Sequence, residues 1–310
     1  MIYTITLNPA LDHTIETNGF NLNETNYYQR DYKKIGGKGI NTAIILNNLN
    51  ANVISVGILG EENKHIFIEE FNKIGLSNHF ILNKGVTRTN FKIKNLAKKS
   101  ETELNGVGSE VSKHTIHQLL EFLEKKIQPA DIVIASGSLP IGINNNIYNE
   151  IGNIVNDKKG MFILDTSKEN MVNGLKAKPF LIKPNIEEIC EILNVKFKEY
   201  SFDEIQKMIQ QLKDMGARNV LFSMGSKGSY YFSENNEIFH TGIAAGKLVN
   251  SVGSGDSMIG GFTYGLSLNL TIEESLQYAS AAGGATAFSE GLGSKDEIEK
   301  LFKTIQVKRI

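Results

Sequence analysis

The segment Val249-Asn250-Ser251-Val252-Gly253-Ser254-Gly255-Asp256-Ser257-Met258 brings glycines, hydroxyls and a carboxylate to the start of a helical pattern. Glycine lets a backbone approach a ligand closely. Free N–H groups at a helix start, helped by the helix dipole, make an anion site. Gly253, Ser254 and Gly255 supply such groups, and Asp256 stands beside them in the first turn. A carboxylate next to an anion site is electrostatically costly unless it has a task. The task that fits is accepting a hydroxyl proton while the anion hole holds a transferring phosphoryl group. On this segment alone, a helix-capping Asp in a tight turn remains the alternative.

Four further segments could serve the same chemistry. Ile35-Gly36-Gly37-Lys38-Gly39-Ile40-Asn41 places three glycines, Lys38 and Asn41 at a helix start, which suits a polyhydroxyl or phosphate-bearing ligand; a plain glycine-rich turn is the alternative. It is not a Walker A loop, and no Gly-x-Gly-x-x-Gly follows a strand. Thr6-Leu7-Asn8-Pro9-Ala10-Leu11-Asp12 follows the first strand-like run. Ligands of open α/β sheets bind beyond the carboxyl ends of strands, so Asp12 is placed to hold substrate hydroxyls. In Lys183-Pro184-Asn185-Ile186-Glu187-Glu188, Asn185 and Glu188 share one face of a helix start. A carboxylate there can hold Mg²⁺ through water beside nucleotide phosphates. Ser223-Met224-Gly225-Ser226-Lys227-Gly228 reads as a strand-to-strand turn able to lie against a flat or phosphate-bearing ligand.

Other reactive residue types form no site. His114 and His117 have helical spacing without the Glu of a His-Glu-x-x-His zinc motif, and a structural zinc site lacks its cysteines. The single cysteine, Cys190, sits in an apolar-periodic stretch and reads as a core thiol. It cannot form an internal disulfide, which points to a reducing compartment.

The elements that must position these residues alternate. Strands are expected at Ile2–Leu7, Val53–Leu59, Ile132–Ala135, Met161–Leu164, Phe180–Ile182 and Val220–Phe222. Helices are expected at Gly39–Leu49, Glu62–Ile74, Ser112–Lys126, Asn145–Asp157 and Asp203–Met215, then at Gly255–Leu266, Ile272–Phe288 and Asp296–Ile305. Short apolar strands separated by amphipathic helices indicate a mostly parallel sheet covered on both faces, an α/β architecture. Ser201-Phe-Asp-Glu204 and Thr271-Ile-Glu-Glu274 have capping-box spacing and mark two helix starts. Residues 13–34 and 79–105 break the rhythm with polar, strand-like patterns. They are expected to form a small additional sheet, a lid on a single domain spanning 1–310; an antiparallel edge on the main sheet is the alternative.

The 310 residues carry 33 Lys plus Arg against 34 Asp plus Glu, a net charge of −1, with 41% hydrophobic and 22% charged residues. This balance excludes a disordered chain and argues against nucleic-acid binding, for which no global positive charge is available. No apolar run approaches the ~18 residues needed to span a bilayer, and no secretory signal is visible, so a cytoplasmic protein without membrane partners is expected.

Taken in order, the motifs Asn8-Pro9-x-x-Asp12, Gly36-Gly37-Lys38-Gly39-x-Asn41, Thr87-Arg88-x-Asn90, Gly137-Ser138-Leu139-Pro140, Lys183-Pro184-Asn185-x-x-Glu188, Ser223-x-Gly225-x-x-Gly228 and Gly253-x-Gly255-Asp256 run the length of the chain. Together they resemble the ribokinase-like carbohydrate kinases of the PfkB family, in particular its hexose-phosphate branch. The resemblance implies a three-layer α/β/α fold with a β-strand lid that pairs subunits into a homodimer. It implies ATP-dependent transfer to a ketohexose phosphate, fructose 1-phosphate ahead of tagatose 6-phosphate. An idle nucleotide or sugar-phosphate sensor on the same fold is a further alternative. Asp256 would be the base and Gly253, Ser254 and Gly255 the anion hole. Asp12, Gly37, Lys38, Asn41, Arg88, Asn90 and Ser138 would hold the sugar phosphate, with Lys38 and Arg88 on its phosphate. Lys183, Asn185, Ser223, Gly225 and Gly228 would line the ATP side, with Glu188 ordering Mg²⁺. One departure stands out: an Arg common in related lids, fourteen positions before the loop Asn, is Tyr27 here, with Arg30 nearby.

Overall fold

The computed structural model describes residues 1–310. In its first half, β1 (Ile2–Thr6) is followed by β2 (Ala10–Thr17), β3 (Arg30–Gly36), α1 (Lys38–Asn48), β4 (Val53–Gly60), α2 (Lys64–Lys73) and β5 (Asn78–Asn83). Then come β6 (Thr89–Asn95), β7 (Ser100–Asn105), α3 (Lys113–Lys126), β8 (Ile132–Ser136), α4 (Ile147–Asp157) and β9 (Met161–Asp165). The second half comprises α5 (Lys168–Gly174), β10 (Leu181–Ile182), α6 (Ile186–Leu193), α7 (Phe202–Asp214), β11 (Asn219–Ser223), β12 (Ser229–Phe232) and β13 (Ile238–Thr241). The chain ends in α8 (Ser254–Ser267), α9 (Ile272–Ala287), α10 (Lys295–Phe302) and β14 (Val307–Arg309).

Ten strands form the main sheet in the order β14-β13-β12-β11-β10-β9-β8-β1-β4-β5. From β11 to β5 the pairing is parallel, and β12, β13 and β14 add an antiparallel edge. Because successive side chains of a strand point to opposite faces, the buried strands feed two cores. Val133 and Ala135 of β8 and Phe162 and Leu164 of β9 pack with Leu119, Leu123, Ile151 and Leu212 on one side. Ile132, Ile134 and Ile163 pack with Ile40, Leu46, Phe67, Phe71 and Phe262 on the other. Cys190 lies in the first of these cores. The expected capping boxes start α7 at Ser201 and α9 at Thr271.

Helices α8 and α9 pack backbone to backbone. A Cβ at Gly261 would lie 2.2 Å from the Tyr278 carbonyl oxygen, and one at Gly265 2.6 Å from the Ser275 Cα. Only glycine fits such an approach.

Four strands form a separate sheet in the order β3-β2-β6-β7. Residues 79–83, expected in that sheet, belong instead to β5, which pairs in parallel with β4 at the edge of the main sheet. Along Asn78–Asn83 exposed and half-buried positions are mixed and only Asn83 is buried, a pattern that suits an edge strand of either sheet. The small sheet also begins earlier than expected, at Ala10. Its register aligns Asp12 with Lys34 and Asn90, and Thr14 with Tyr32 and Lys92. One face therefore carries a polar, charged set, and the other carries Ile15, Phe91, Ile93 and Leu104.

Candidate active site

The carboxyl ends of β1, β8, β9 and β10 converge on one edge of the main sheet. β1 is where the strand order reverses: β4 lies on one side and β8 on the other. Such a reversal opens the crevice in which α/β sheets bind ligands. Asn8, just past β1, donates from its side-chain nitrogen to the Ser138 hydroxyl at 3.1 Å and to the Leu139 carbonyl at 3.3 Å, bridging that crevice.

Asp256 occupies the first turn of α8, behind Gly253 at φ 81°, a left-handed conformation glycine adopts freely. Its carboxylate is buried and accepts a 2.8 Å hydrogen bond from the Asn41 side-chain amide at Oδ2. The Thr42 hydroxyl donates to the Asp256 main-chain carbonyl at 3.2 Å. The two glycine-rich segments, more than two hundred residues apart, are thereby joined. Burial pushes the Asp256 carboxyl up to about 6, with the charge of Asp165 adding to the rise and Lys38, Asn41 and Lys183 opposing it. The Ser254 hydroxyl beside it is buried without a hydrogen-bond partner.

Asp165, at the end of β9, was not among the residues singled out from sequence. It is 1% exposed, and it draws Lys38 Nζ to 3.2 Å and Lys183 Nζ to 3.6 Å. Burial alone would raise its pKa, but the two ammonium groups outweigh that cost and hold its carboxyl below the usual range. Lys38 is correspondingly held above its ordinary value, chiefly by Asp165. A Cβ at Gly255 would come within 3.0 Å of Lys183 Nζ, so this buried cluster lies directly against the start of α8. Lys183 thus sits in the ion cluster, paired with Asp165.

On the small sheet, Asp12 accepts from the Asn90 side chain at 2.9 Å and pairs with Lys92 Nζ at 3.3 Å. Gly36 leaves room for that carboxylate, since a Cβ there would reach 3.0 Å from Oδ2. Arg88 donates from Nη2 to the Asn8 carbonyl at 3.2 Å and from Nε to the Pro9 carbonyl at 3.4 Å. Burial lowers its pKa, and Asp12 opposes that shift. Gly37, at φ 130°, begins α1 against Thr6, so the loop rests on the end of β1.

On the far side of Ser254 lies a cavity of about 370 Å³ bounded by Gly225, Gly228, Leu248, Met258 and Phe288. Gly225 and Gly228 line this cavity, whereas Asn185 and Ser223 are not among its lining residues and are linked to each other by a parallel bridge. The Asn185 side chain accepts from the Glu188 N–H at 2.9 Å, and Glu188 Oε2 accepts from the Asn185 N–H at 2.9 Å. This capping box starts α6, so the spacing read as a metal site also performs a structural task.

The model of the pfkB family carbohydrate kinases matches residues 5–299. The chain belongs to that family. It is 34% identical over its full length, and over all of the relative, to a 1-phosphofructokinase from Bacillus subtilis. It is 31% identical, over 99% of both chains, to a tagatose-6-phosphate kinase from Staphylococcus epidermidis. The crystal structure of phosphofructokinase-2 from Escherichia coli in complex with potassium superposes with a TM-score of 0.90 at 25% identity, covering 98% of each chain. The layers described above are the ribokinase-like α/β fold. This member of the pfkB family is a kinase that phosphorylates a sugar hydroxyl. No helix is long and apolar enough to cross a membrane.

Two site residues escaped the motif reading, Asp165 and Lys92. A signal existed for Asp165: it is the lone acid closing the apolar strand Met161–Asp165, at the edge where ligands bind. Lys92 had only its position two residues beyond Asn90 on the same strand, which puts both on one face.

Proposed function

We propose that this kinase transfers the γ-phosphoryl group of ATP to fructose 1-phosphate, giving fructose 1,6-bisphosphate and ADP. The observation that carries the reading is Asp256, buried at the start of α8, oriented by Asn41 and raised to about 6. A general base works best with a pKa near the operating pH. The acceptor C6 hydroxyl gives its proton to Asp256 as its oxygen attacks the γ-phosphorus. The bond from that phosphorus to the oxygen retained by ADP breaks. The N–H groups of Gly253 and Gly255, with the unpartnered Ser254 hydroxyl, take the charge on the transferring oxygens, while the Ser254 N–H donates to the Ser251 carbonyl at 3.2 Å. Lys38, anchored by Asp165, supplies positive charge beside them. Asp12, Asn90, Ser138 and Gly37 hold sugar hydroxyls, and Arg88 closes that side.

ATP lies in the cavity beyond Ser254, its base against Leu248, Met258 and Phe288 and its phosphates toward Gly225, Gly228 and the α8 start. No group of three metal-ligating side chains occurs. That donor set still fits Mg²⁺, which binds nucleotide phosphates with one or two protein carboxylates and retained water. Glu188 keeps Oε1 outside its capping box and would hold such an ion through water. When bound, the ion neutralises phosphate charge. The small sheet acts as a lid over the acceptor, and its outer face, with Phe91 and Leu104 exposed, pairs with a second copy to form a homodimer.

Tagatose 6-phosphate is the second reading, favoured by the Staphylococcus epidermidis relative; Tyr27, exposed where a lid Arg is common, bears equally on both acceptors. A coupled ADP-release assay over fructose 1-phosphate, fructose 6-phosphate, tagatose 6-phosphate and the free sugars tests the proposal. Fructose 1-phosphate should give the highest kcat/KM; a higher value for any other acceptor refutes it.

A further inference from the structure

The sequence motifs place the acceptor phosphate on Lys38 and Arg88, and the structure commits the charge of Lys38 and two of the five N–H donors of Arg88 to other partners. Lys38 is ion-paired with buried Asp165 next to the phosphoryl-transfer centre. Arg88 is tied to two main-chain carbonyls. A different cavity, of about 350 Å³, opens between the charged face of the small sheet and α1. Its size is that of a small-molecule site. Asn41, which also bonds the base, and Asp12 both line it, so it communicates with the reacting end of the acceptor.

Lys92 is the most buried of the cations on that cavity whose pairing is defined: its side chain is 15% exposed, against 38% for Lys94. It projects from β6 on the same face as Asn90. Its ammonium group lies 3.3 Å from Asp12 Oδ2 and 3.8 Å from Glu103 Oε1. The Asp12 contact is the shorter, while Glu103 is 43% exposed on the outer strand β7 and its contact is long. An exposed pair of this kind contributes little and is readily exchanged. A phosphate carries more charge than a carboxylate and accepts several ammonium protons at once.

We infer that Lys92 binds the phosphate of the sugar-phosphate acceptor, exchanging Glu103 for it while keeping Asp12 aimed at the sugar hydroxyls. This rests on the proposed acceptor class. Lys92 is then the residue that selects a phosphorylated sugar over a free one, and one side chain ties the hydroxyl-binding carboxylate to the phosphate-binding cation.

The test compares the wild-type enzyme with Lys92→Met and Lys92→Arg. The first measurement is KM for fructose 1-phosphate and for ATP. The second is the Ki of inorganic phosphate as a competitor of fructose 1-phosphate. Phosphate has no sugar hydroxyls, so a Lys92 that merely positions Asp12 would leave its Ki unchanged. Lys92→Met should raise both the fructose 1-phosphate KM and the phosphate Ki about 10- to 100-fold, with the ATP KM within twofold. Lys92→Arg should recover most of both. A Ki unaffected by Lys92→Met, or phosphate that competes only with ATP, overturns the inference and leaves the proposed reaction standing. A wild-type enzyme inactive on every sugar phosphate overturns both.

Discussion

Replacing Asp256 by Asn should make the protein a poor enzyme and a more stable one. The carboxyl titrates at about 6 in the folded chain against a reference of 3.8, because burial penalises its charged form more than Lys38, Asn41 and Lys183 repay. A carboxyl whose folded pKa is raised binds its proton more tightly folded than unfolded. Its ionised form therefore costs stability above about pH 6, and the cost fades as pH falls from there toward 4. A rise of roughly two pKa units corresponds to about 3 kcal/mol. Asn copies the neutral carboxyl and escapes that cost. With unfolding entropy near 2.1 cal/mol/K per residue, a gain of this size in a chain this long raises Tm by about 4–5 °C. Differential scanning calorimetry at pH 8 and pH 4.5 measures it, and the gain should shrink at the lower pH. Steady-state kinetics on the same preparation should show kcat down by ~10²–10⁴-fold. A variant less stable than wild type at pH 8, or one that keeps kcat within a few-fold, would refute the reasoning that this carboxylate is held strained for proton transfer.

The wild-type kcat/KM should fall with unit slope as pH drops through about 6, since the base works only when ionised, and Asn41→Ala should move that inflection upward because Asn41 favours the charged form. Arg88→Ala should raise the KM for the sugar phosphate far more than that for ATP, and should lower stability by about 1–3 kcal/mol in urea unfolding because two loop carbonyls lose their donor. Asp165→Asn should destabilise the fold by about 3–5 kcal/mol, leaving Lys38 and Lys183 without their shared counter-ion, and thermal unfolding would register it.

Much of this site was legible because its parts are backbone devices. Glycine loops and helix starts announce themselves by residue type, so the Gly253–Asp256 and Gly36–Asn41 segments could be read as ligand-facing before any fold was known. The alternation of apolar strands and amphipathic helices likewise conveyed the layered architecture. Side-chain partnerships were harder. Asp165 meets Lys38 across 127 positions, and no local pattern specifies that meeting. The Asn185 and Glu188 spacing carried two meanings at once, a capping box and a carboxylate near phosphates. Residues 79–83 read as part of the small sheet because a polar stretch with little burial describes an edge strand of either one. The residue type of Arg88 marks it as a candidate phosphate ligand, yet its bonds to Asn8 and Pro9 depend on a turn geometry that residue names do not convey.

The close seam between α8 and α9 bears on how such an enzyme can change over generations. Gly261 and Gly265 admit no side chain, so the helix bearing Asp256 cannot be re-packed one substitution at a time. The small sheet has no such restriction: Lys34, Lys94 and Glu101 stand on its open face with room around them. Acquiring a new acceptor is therefore a matter of exchanging residues on four strands while the chemistry, locked into a glycine seam elsewhere, is inherited unchanged.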